Sequence, residues 1–174
     1  MTNLGNSFRT EVPMEEVENQ PPTPPSGAMR APADYFTGVV WVKTLVPANE
    51  QTDCIVSDVT FEPGARNNWH RHPNGQVLVV TAGAGYYQEQ GQPIRLLRVG
   101  DAVNIAPNVV HWHGATPDSW FTHVAINPNV SRGGVSETGA TAMMYVPVLP
   151  SASKVGAVVW LQPVTDEEYG SYQE

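Results

Sequence analysis

The chain has few of the features that mark secreted, membrane or nucleic-acid-binding proteins. It contains one cysteine, Cys54, which excludes an intrachain disulfide. It has neither the apolar core of an N-terminal signal peptide nor an apolar run of about 18 residues that could cross a membrane. Lysine and arginine total 9 against 17 aspartates and glutamates, and the formal net charge of −8 argues against a nucleic-acid surface. We therefore expect a cytoplasmic protein with no membrane or nucleic-acid partner.

Charged residues are also scarce, at 15%, whereas 16 prolines and 15 glycines indicate frequent turns. Between residues 35 and 127, short apolar or alternating runs recur at near-regular spacing, among them "FTGVVWVKTLV", "CIVSDVTF", "QVLVVTAGAGYY" and "SWFTHVAI". Such runs, separated by turn signals, are typical of β-sandwiches and barrels. The length of 174 residues suits one domain, so the pattern predicts a single all-β domain.

The composition divides the chain into three zones. Residues 1–33 are polar, acidic and rich in proline, which predicts an extended arm that is either disordered or packed on a neighbouring subunit. Residues 34–127 carry the strand pattern and form the predicted barrel. Residues 128–174 are a C-terminal extension that begins with a loop-like segment.

The C-terminal extension contains the apolar run "AMMYVPVLP" at residues 142–150. The run has too few charges for a loop in water, and its prolines disfavour a central strand. We expect it on a barrel edge or at a subunit interface, with packing inside its own subunit as the alternative. Farther along, Thr165 and Glu168 have the spacing of a capping box, which predicts a short terminal helical turn.

All five histidines lie between positions 70 and 123, and four of them form two alternate-residue pairs. His70 and His72 make the first pair, and His111 and His113 make the second. Because successive side chains of a strand point to opposite faces, each pair projects both imidazoles to one side. A lone histidine on a strand is usually an ordinary core or surface residue, but this clustering, which includes His123, favours a metal site.

A turn follows the first histidine pair. Pro73-Asn74-Gly75 is expected to turn or bulge the chain, so that Gln76 opens the next strand with its amide oxygen within reach of the same centre. His70, His72 and Gln76 are then three potential ligands of one metal ion.

Two stretches resemble the sequence motifs of the cupin superfamily. Residues 64–83 follow G-x5-H-x-H-x3-Q-x6-G, and residues 100–111 read "GDAVNIAPNVVH". The resemblance implies a double-stranded β-helix, or jelly-roll barrel, with a metal bound inside. The second motif departs from the usual pattern at Asn108, where glycine is common, and at Ala115, where asparagine is frequent. His111 matches the ligand position of that motif.

Longer segments are similar to small bacterial cupins that act as manganese-dependent hydroxynitrile lyases, of the (R)-mandelonitrile lyase type. These segments are "ADYFTG", "VTFEPGAR", "WHRHPNGQVLVVTAGAGY", "GDAVNIAPNVVHWHGATP", "THVAI" and "VTDEEY". The similarity spans roughly residues 33–127 and resumes at about residue 158. Residues 130–157 are therefore expected to be an insertion relative to the shorter members.

The resemblance implies a divalent metal held by His70, His72, Gln76 and His111, with His113 as the residue that transfers a proton. Manganese is the metal first expected, and iron, nickel and zinc are alternatives. Glutamine in place of the usual cupin glutamate removes one negative charge, which leaves the metal more electrophilic and favours a Lewis-acid role.

The implied activity is the reversible cleavage of a small-molecule cyanohydrin into an aldehyde or ketone and hydrogen cyanide. Ser57, Val59, His123 and Asn127 fall at positions of the pocket wall, where they should adjust substrate fit. Because cupins commonly pair subunits through their sheets, a homo-oligomer, either dimer or tetramer, is also expected.

Two other classes stay open. One is a different metal-dependent cupin enzyme, such as an oxygenase, a decarboxylase or an isomerase, and the other is a cupin that binds a small molecule without turnover. Metal identity and oxygen consumption would separate some of these.

The five tryptophans are expected in the core or the pocket wall: Trp41, Trp69, Trp112, Trp120 and Trp160. Strand alternation predicts that Trp112 points away from the metal, since it lies between two histidines of the expected site.

Overall fold

The computed structural model describes residues 24–47, 53–128 and 158–173, and within these ranges the regular structure is almost entirely β. The strands are β1 (Met29–Arg30), β2 (Phe36–Thr37), β3 (Val40–Val46), β4 (Cys54–Phe61), β5 (Arg66–Asn67), β6 (His70–Arg71), β7 (Gln76–Glu89), β8 (Arg95–Arg98), β9 (Ala102–Ile105), β10 (His111–Ala115), β11 (Phe121–Pro128) and β12 (Val159–Trp160). A single helical turn, α1 (Asp166–Tyr169), follows them.

The long strand β7 joins two halves of the sheet. The strands pair in the order β1-β3-β4-β11-β7-β10-β5-β2, while β8 and β9 also pair with β7, and β6 pairs with β10 and β12. Residues 76–83 of β7 pair with β9 and β11, whereas residues 84–89 pair with β8 and β10. We call the strands on the side of β9 and β11 the first half-sheet; they are β1, β3, β4, β9 and β11. The strands on the side of β8 and β10 form the second half-sheet; they are β2, β5, β6, β8, β10 and β12. The sheet thus folds over on itself, which confirms the predicted all-β jelly-roll barrel with a short C-terminal helical turn.

A bulge and a glycine allow β7 to pass between the half-sheets. The register of β7 against β11 skips Thr81, so the residues after it are shifted to the opposite face. Val80 before the bulge and Tyr87 after it can therefore both be buried in the same core. Gly83 has a φ of +69°, and a Cβ there would lie 1.8 Å from the carbonyl oxygen of Trp120, so a larger residue does not fit.

Alternate residues of β4 and β11 line the barrel interior. The buried side chains of these strands include Ile55, Ser57, Val59, Phe61, Phe121, His123, Ala125 and Asn127. The antiparallel register places His123 opposite Val59. Most buried side chains of these two faces are apolar, as strand alternation dictates. The polar side chains buried among them are Ser57, His123 and Asn127. Buried polar groups require bonding partners.

The segment after β12 covers the outer face of the second half-sheet with Val164, Tyr169 and Tyr172. Trp69, Tyr86, Trp112 and Val164 form a buried cluster there, which places Trp112 on the face opposite its histidine neighbours, as strand alternation predicts. Burial of apolar surface of this kind contributes roughly 25 cal/mol per Å² to stability.

Polar contacts fix the end of this segment. The predicted capping box is present: Glu168 N–H donates to the Thr165 hydroxyl at 3.1 Å, and Thr165 N–H donates to the Glu168 carboxylate at 2.8 Å. The Arg66 guanidinium donates to the carbonyl of Val164 and pairs with Asp166. These contacts hold the C-terminal segment against the barrel wall that carries the site.

Several expectations from the sequence lie outside the described residues or stay predictions. Residues 1–23 of the predicted arm and the apolar run at 142–150 lie outside them, as does all of the expected insertion at 130–157. The last part of the arm is described, and its Met29–Arg30 strand pairs with β3. The expected homo-oligomer and cytoplasmic location stay predictions. In the described ranges no helix has the length and apolar character needed to cross a membrane.

Candidate metal centre

Three histidines meet where β6 and β10 pair. The register places His70 directly opposite His111, and their ring centroids lie 4.2 Å apart. His113 follows two residues later on the same face of β10. One ring nitrogen each from His70, His111 and His113 lie within 4.8 Å of one another, and all three side chains are buried. Three buried imidazoles at this spacing can hold a metal ion.

Backbone carbonyls set the tautomers of His70 and His111. Nδ1 of His70 lies 2.9 Å from the carbonyl oxygen of Asn68, and Nδ1 of His111 lies 2.9 Å from that of Val109. Because a carbonyl oxygen only accepts, each Nδ1 carries the hydrogen and each Nε2 keeps its lone pair. Histidines that bind metals in proteins are oriented by such partners.

Gln76 presents its amide oxygen to the same place. Its Nε2 donates to Oδ1 of Asn127 at 3.0 Å, which leaves Oε1 facing Nε2 of His111 at 3.3 Å. Both of these facing atoms are acceptors, so they repel each other in the absence of a cation. Gln76 and Asn127 are 4% and 5% exposed, so water screens this repulsion little.

His72 lies in the turn after β6. Its carbonyl oxygen accepts from Gly75 N–H at 3.1 Å, which shows that the predicted turn is present, and from Asn108 N–H at 2.9 Å. Asn108 has a φ of +65°, which asparagine adopts more readily than most residues, so it can stand where the motif usually has glycine. His72 does not belong to the group of three histidines. Its ring centroid lies 5.7 Å from that of His111. The Nε2 atom of His72 is buried and has no hydrogen-bond partner.

Burial keeps all of these imidazoles neutral. Removal from water lowers the pKa of His72 to about 3 and that of His111 to about 4. The pKa of His123 falls to about 3 for the same reason. Burial also holds the pKa of His70 and His113 well below the usual value, and neighbouring histidines lower it further. The neutral imidazole is the form that binds a metal ion.

Asn67 holds the ring of His113. Its Oδ1 accepts from the backbone N–H of His113 at 2.9 Å, so its amide nitrogen faces the imidazole, 3.0 Å from Nε2 and 3.3 Å from Nδ1. An amide nitrogen only donates, and it therefore favours an unprotonated ring nitrogen on that side. Asn67 thus orients a neutral imidazole next to the group of histidines.

A cavity opens beside this cluster. Its wall is lined by Phe36, Val42, Val59, Phe61, Asn67, His70, His72, Gln76, His113, His123, Ala125, Val158 and Trp160. One side of the lining is imidazole and amide, and the other is apolar and aromatic. No lysine or arginine occurs among the described residues of this wall, so it suits a neutral molecule with one polar end.

The predicted pocket residues divide into two groups. Val59 and His123 line the cavity, whereas Ser57 and Asn127 are buried but do not line it. Asn127 instead contacts Gln76, as described above. The described structure therefore gives Asn127 a place beside an expected ligand and not in the cavity wall.

The sequence pattern does not predict Asn67 or Phe61 as site residues. Phe61 lies two residues after Val59 on β4, so strand alternation from a predicted pocket residue could have indicated it. Asn67 faces inward because β5 pairs with β10 at Arg66, a register that no sequence pattern reveals. Trp160 was expected only as core or pocket wall, and it lines the cavity because β12 pairs with β6.

The donor set fits a divalent metal ion. His70 and His111 present Nε2 lone pairs, Gln76 presents an unpaired Oε1, and His72 has a buried Nε2 without a partner. Three neutral imidazoles and one amide oxygen suit manganese, iron, nickel or zinc. His113 is the other candidate ligand by distance, so the choice between His72 and His113 requires a test.

We predict that Asn127→Leu weakens metal binding by roughly 10-fold to 100-fold, the usual effect of losing a residue that orients a ligand. The substitution removes the acceptor for Gln76 Nε2, so the amide can rotate and turn its nitrogen toward the metal. Titration calorimetry with Mn²⁺ on metal-stripped protein measures the effect. Asn127→Asp keeps an acceptor and is the matched control. Equal affinity in the leucine variant and the wild type would show that Asn127 does not orient Gln76.

Known proteins resemble this chain in sequence and in fold. Residues 57–122 match the profile of the cupin domain family. An (R)-mandelonitrile lyase of Granulicella tundricola is 38% identical over 140 residues, which cover 80% of this chain and 89% of that protein.

Two solved structures also resemble this chain. A cupin-like protein of Thermotoga maritima superposes with a TM-score of 0.66 and is 44% identical, covering 83% of this chain and 92% of that chain. A predicted oxalate decarboxylase of the same organism has a TM-score of 0.52 at 15% identity, covering 57% of this chain and 89% of that chain. The second likeness concerns the fold alone.

Proposed function

The chain belongs to the cupin family, and on that premise we propose that it is a metal-dependent hydroxynitrile lyase, with manganese as its metal. Such an enzyme cleaves a cyanohydrin reversibly into an aldehyde or ketone and hydrogen cyanide. The 38% identity to an (R)-mandelonitrile lyase supports this proposal. The structural observation that carries it is the pair of buried acceptors, Gln76 Oε1 and His111 Nε2, that face each other at 3.3 Å beside an apolar cavity.

In this proposal His70, His72, Gln76 and His111 hold the metal. When bound, a divalent metal supplies Lewis acidity, which stabilises negative charge that develops on the hydroxyl oxygen of the substrate. The neutral Asn127 amide keeps the oxygen of Gln76 turned toward the centre. The four protein ligands carry no charge, so they reduce this Lewis acidity less than a carboxylate ligand would.

His113 moves the proton in this mechanism. Its neutral imidazole takes the hydroxyl proton of the cyanohydrin on its one unprotonated ring nitrogen, which gives up the hydrogen bond from the Asn67 amide to do so. The C–O bond becomes a carbonyl, the bond to the nitrile carbon breaks, and its electron pair leaves with cyanide. His113 then returns the proton to cyanide, so hydrogen cyanide leaves and the imidazole is neutral again. Asn67 holds the backbone N–H of His113 throughout, and the aromatic wall, including Phe61, excludes water.

The lining of the cavity favours this function over the decarboxylation of a small acid. Decarboxylases of small acids must bind a carboxylate, for which arginine or lysine is the usual partner. The described wall carries neither of them and offers aromatic contacts from Phe36 and Trp160. A neutral cyanohydrin with an apolar substituent suits such a wall. An oxygenase and a cupin that only binds a small molecule are left as alternatives for the assay.

A cyanide-release assay on mandelonitrile tests the proposal directly. We expect protein stripped of metal to be inactive and protein reloaded with Mn²⁺ to release cyanide, because the charge on the hydroxyl oxygen then has a partner. Mn²⁺ without protein is the control for the spontaneous reaction. If the reloaded protein releases no cyanide from several aromatic and aliphatic cyanohydrins, the lyase proposal is wrong. Oxygen uptake by the iron-loaded protein would then favour an oxygenase.

A further inference from the structure

The buried side-chain nitrogens that lack hydrogen bonds gather at one cavity. In the described ranges these atoms are Nε2 of His72, both ring nitrogens of His123 and Nε1 of Trp160. All three residues line the cavity described above. Buried polar atoms without partners are rare in folded proteins, so their concentration at one cavity indicates that ligands complete their bonding there.

Trp160 differs from the two histidines in what it can bind. An imidazole nitrogen can hold a metal or accept a hydrogen bond, and His72 Nε2 is used in this way by the proposed metal site. An indole N–H can only donate. Trp160 therefore requires an acceptor atom, which the metal cannot supply and a bound substrate can.

Trp160 lies beside the metal centre. It pairs in register with His70, and the two ring centroids lie 4.9 Å apart. Its indole is also stacked on Tyr35 at 4.8 Å and meets Phe36 at its edge at 5.6 Å. These contacts fix the indole ring next to an expected ligand.

The other amide donors of the cavity wall already have partners. The amide nitrogen of Asn67 faces His113, and that of Gln76 donates to Asn127. The indole nitrogen of Trp160 is thus the side-chain donor of the described wall, outside the imidazoles, that makes no hydrogen bond at all.

We propose that Trp160 donates its indole N–H to the nitrile nitrogen of the bound cyanohydrin, an inference that rests on the proposed function. A bound metal would stabilise charge on the hydroxyl oxygen and His113 would take its proton, whereas the nitrile nitrogen has no partner among the groups assigned so far. As the bond to the nitrile carbon breaks, negative charge moves onto cyanide, and a hydrogen bond to an anion is stronger than one to a neutral nitrile. Trp160 therefore stabilises the leaving group more than the substrate, which accelerates the cleavage.

Trp160→Phe removes the N–H and keeps an aromatic wall. We expect kcat/KM for mandelonitrile to fall about 10-fold to 100-fold, the scale of one hydrogen bond to a charged group, with metal content and melting temperature unchanged. Trp41→Phe is the matched control, because the indole of Trp41 donates to Glu62 at 3.2 Å outside the cavity. That variant should keep wild-type kcat/KM.

The hydrogen bond from Trp160 to a nitrile can also be tested by NMR spectroscopy, which does not depend on turnover. In the full chain loaded with diamagnetic Zn²⁺, the indole ¹H–¹⁵N resonance of Trp160 is identified by its loss in Trp160→Phe. We expect this resonance to move downfield on addition of phenylacetonitrile, which carries a nitrile without a hydroxyl. Ethylbenzene, which has a similar shape and no nitrile, should leave it in place.

The two measurements separate the possible failures. If the wild type releases cyanide but Trp160→Phe is equally active, or if phenylacetonitrile does not move the resonance, the role of Trp160 is refuted while the lyase proposal stands. If the wild type releases no cyanide, the lyase proposal fails. A nitrile-specific shift in that case still supports Trp160 as a donor to a nitrile ligand. A shift caused equally by ethylbenzene would refute it.

Discussion

Protein with His111→Ala is expected to retain almost no metal after purification, and His72→Ala is expected to behave in the same way. Each substitution removes one of four ligands from a divalent ion, so affinity should fall by more than the roughly 100-fold that losing an orienting partner costs. His111 is the more sensitive position because its Nε2 faces the oxygen of Gln76 at 3.3 Å. Elemental analysis of the purified variants and titration calorimetry with Mn²⁺ give both quantities.

The control for this experiment is His123→Gln. His123 is fully buried and lines the same cavity, but its contacts are to Phe61, Phe121 and His113, so metal content should stay at the wild-type level. His72→Ala with full metal content would exclude His72 as a ligand. In that case His113, whose ring nitrogen lies within 4.8 Å of those of His70 and His111, would take its place.

The inward direction of His70 and His111 could be predicted because strand periodicity determines it. His70 and His111 lie on strands whose alternation sends their side chains inward, and antiparallel pairing then brings them face to face. The position of Gln76 could also be predicted from the neighbouring sequence, because Pro73-Asn74-Gly75 indicates a turn directly before it.

Contacts that depend on distant pairing could not be predicted. Asn67 reaches His113 because β5 lies next to β10, and the residues between β5 and β6 shift the phase so that Asn67 and His70 both point inward. Asn127 reaches Gln76 because β11 and β7 are neighbours in a register set by a bulge at Thr81. Neither arrangement leaves a periodic signal within one strand, so a search along the sequence does not reveal it.

The role of Trp160 also depends on pairing between strands that are distant in the sequence. It is distant in sequence from the histidine motifs, and only the pairing of β12 with β6 brings it next to His70. Its local sequence, "VVWLQPVT", resembles an ordinary apolar strand. The unpaired N–H that gives it a chemical role becomes visible only when its neighbours in space are known.

His113→Ala is expected to keep its metal and to lose turnover by roughly 100-fold to 10,000-fold, the range for a residue that transfers a proton. Its imidazole is neutral because burial holds its pKa well below the usual value, which leaves one ring nitrogen unprotonated. Asn67 supports this role by contacting the ring and the backbone of the same residue. Without the imidazole, neither the hydroxyl proton nor the cyanide has a partner for transfer.

The measurement is the rate of cyanide release at saturating mandelonitrile, with the metal content determined on the same sample. Because alanine leaves a buried gap beside Phe61 and His123, His113→Gln serves as a second variant that fills the space with an amide that cannot take the proton. Both variants should bind Mn²⁺ with wild-type affinity and show the same large loss of turnover. Loss of metal from both would make His113 a ligand, and wild-type turnover in either would assign the proton transfer to another group, with His123 as the nearest imidazole.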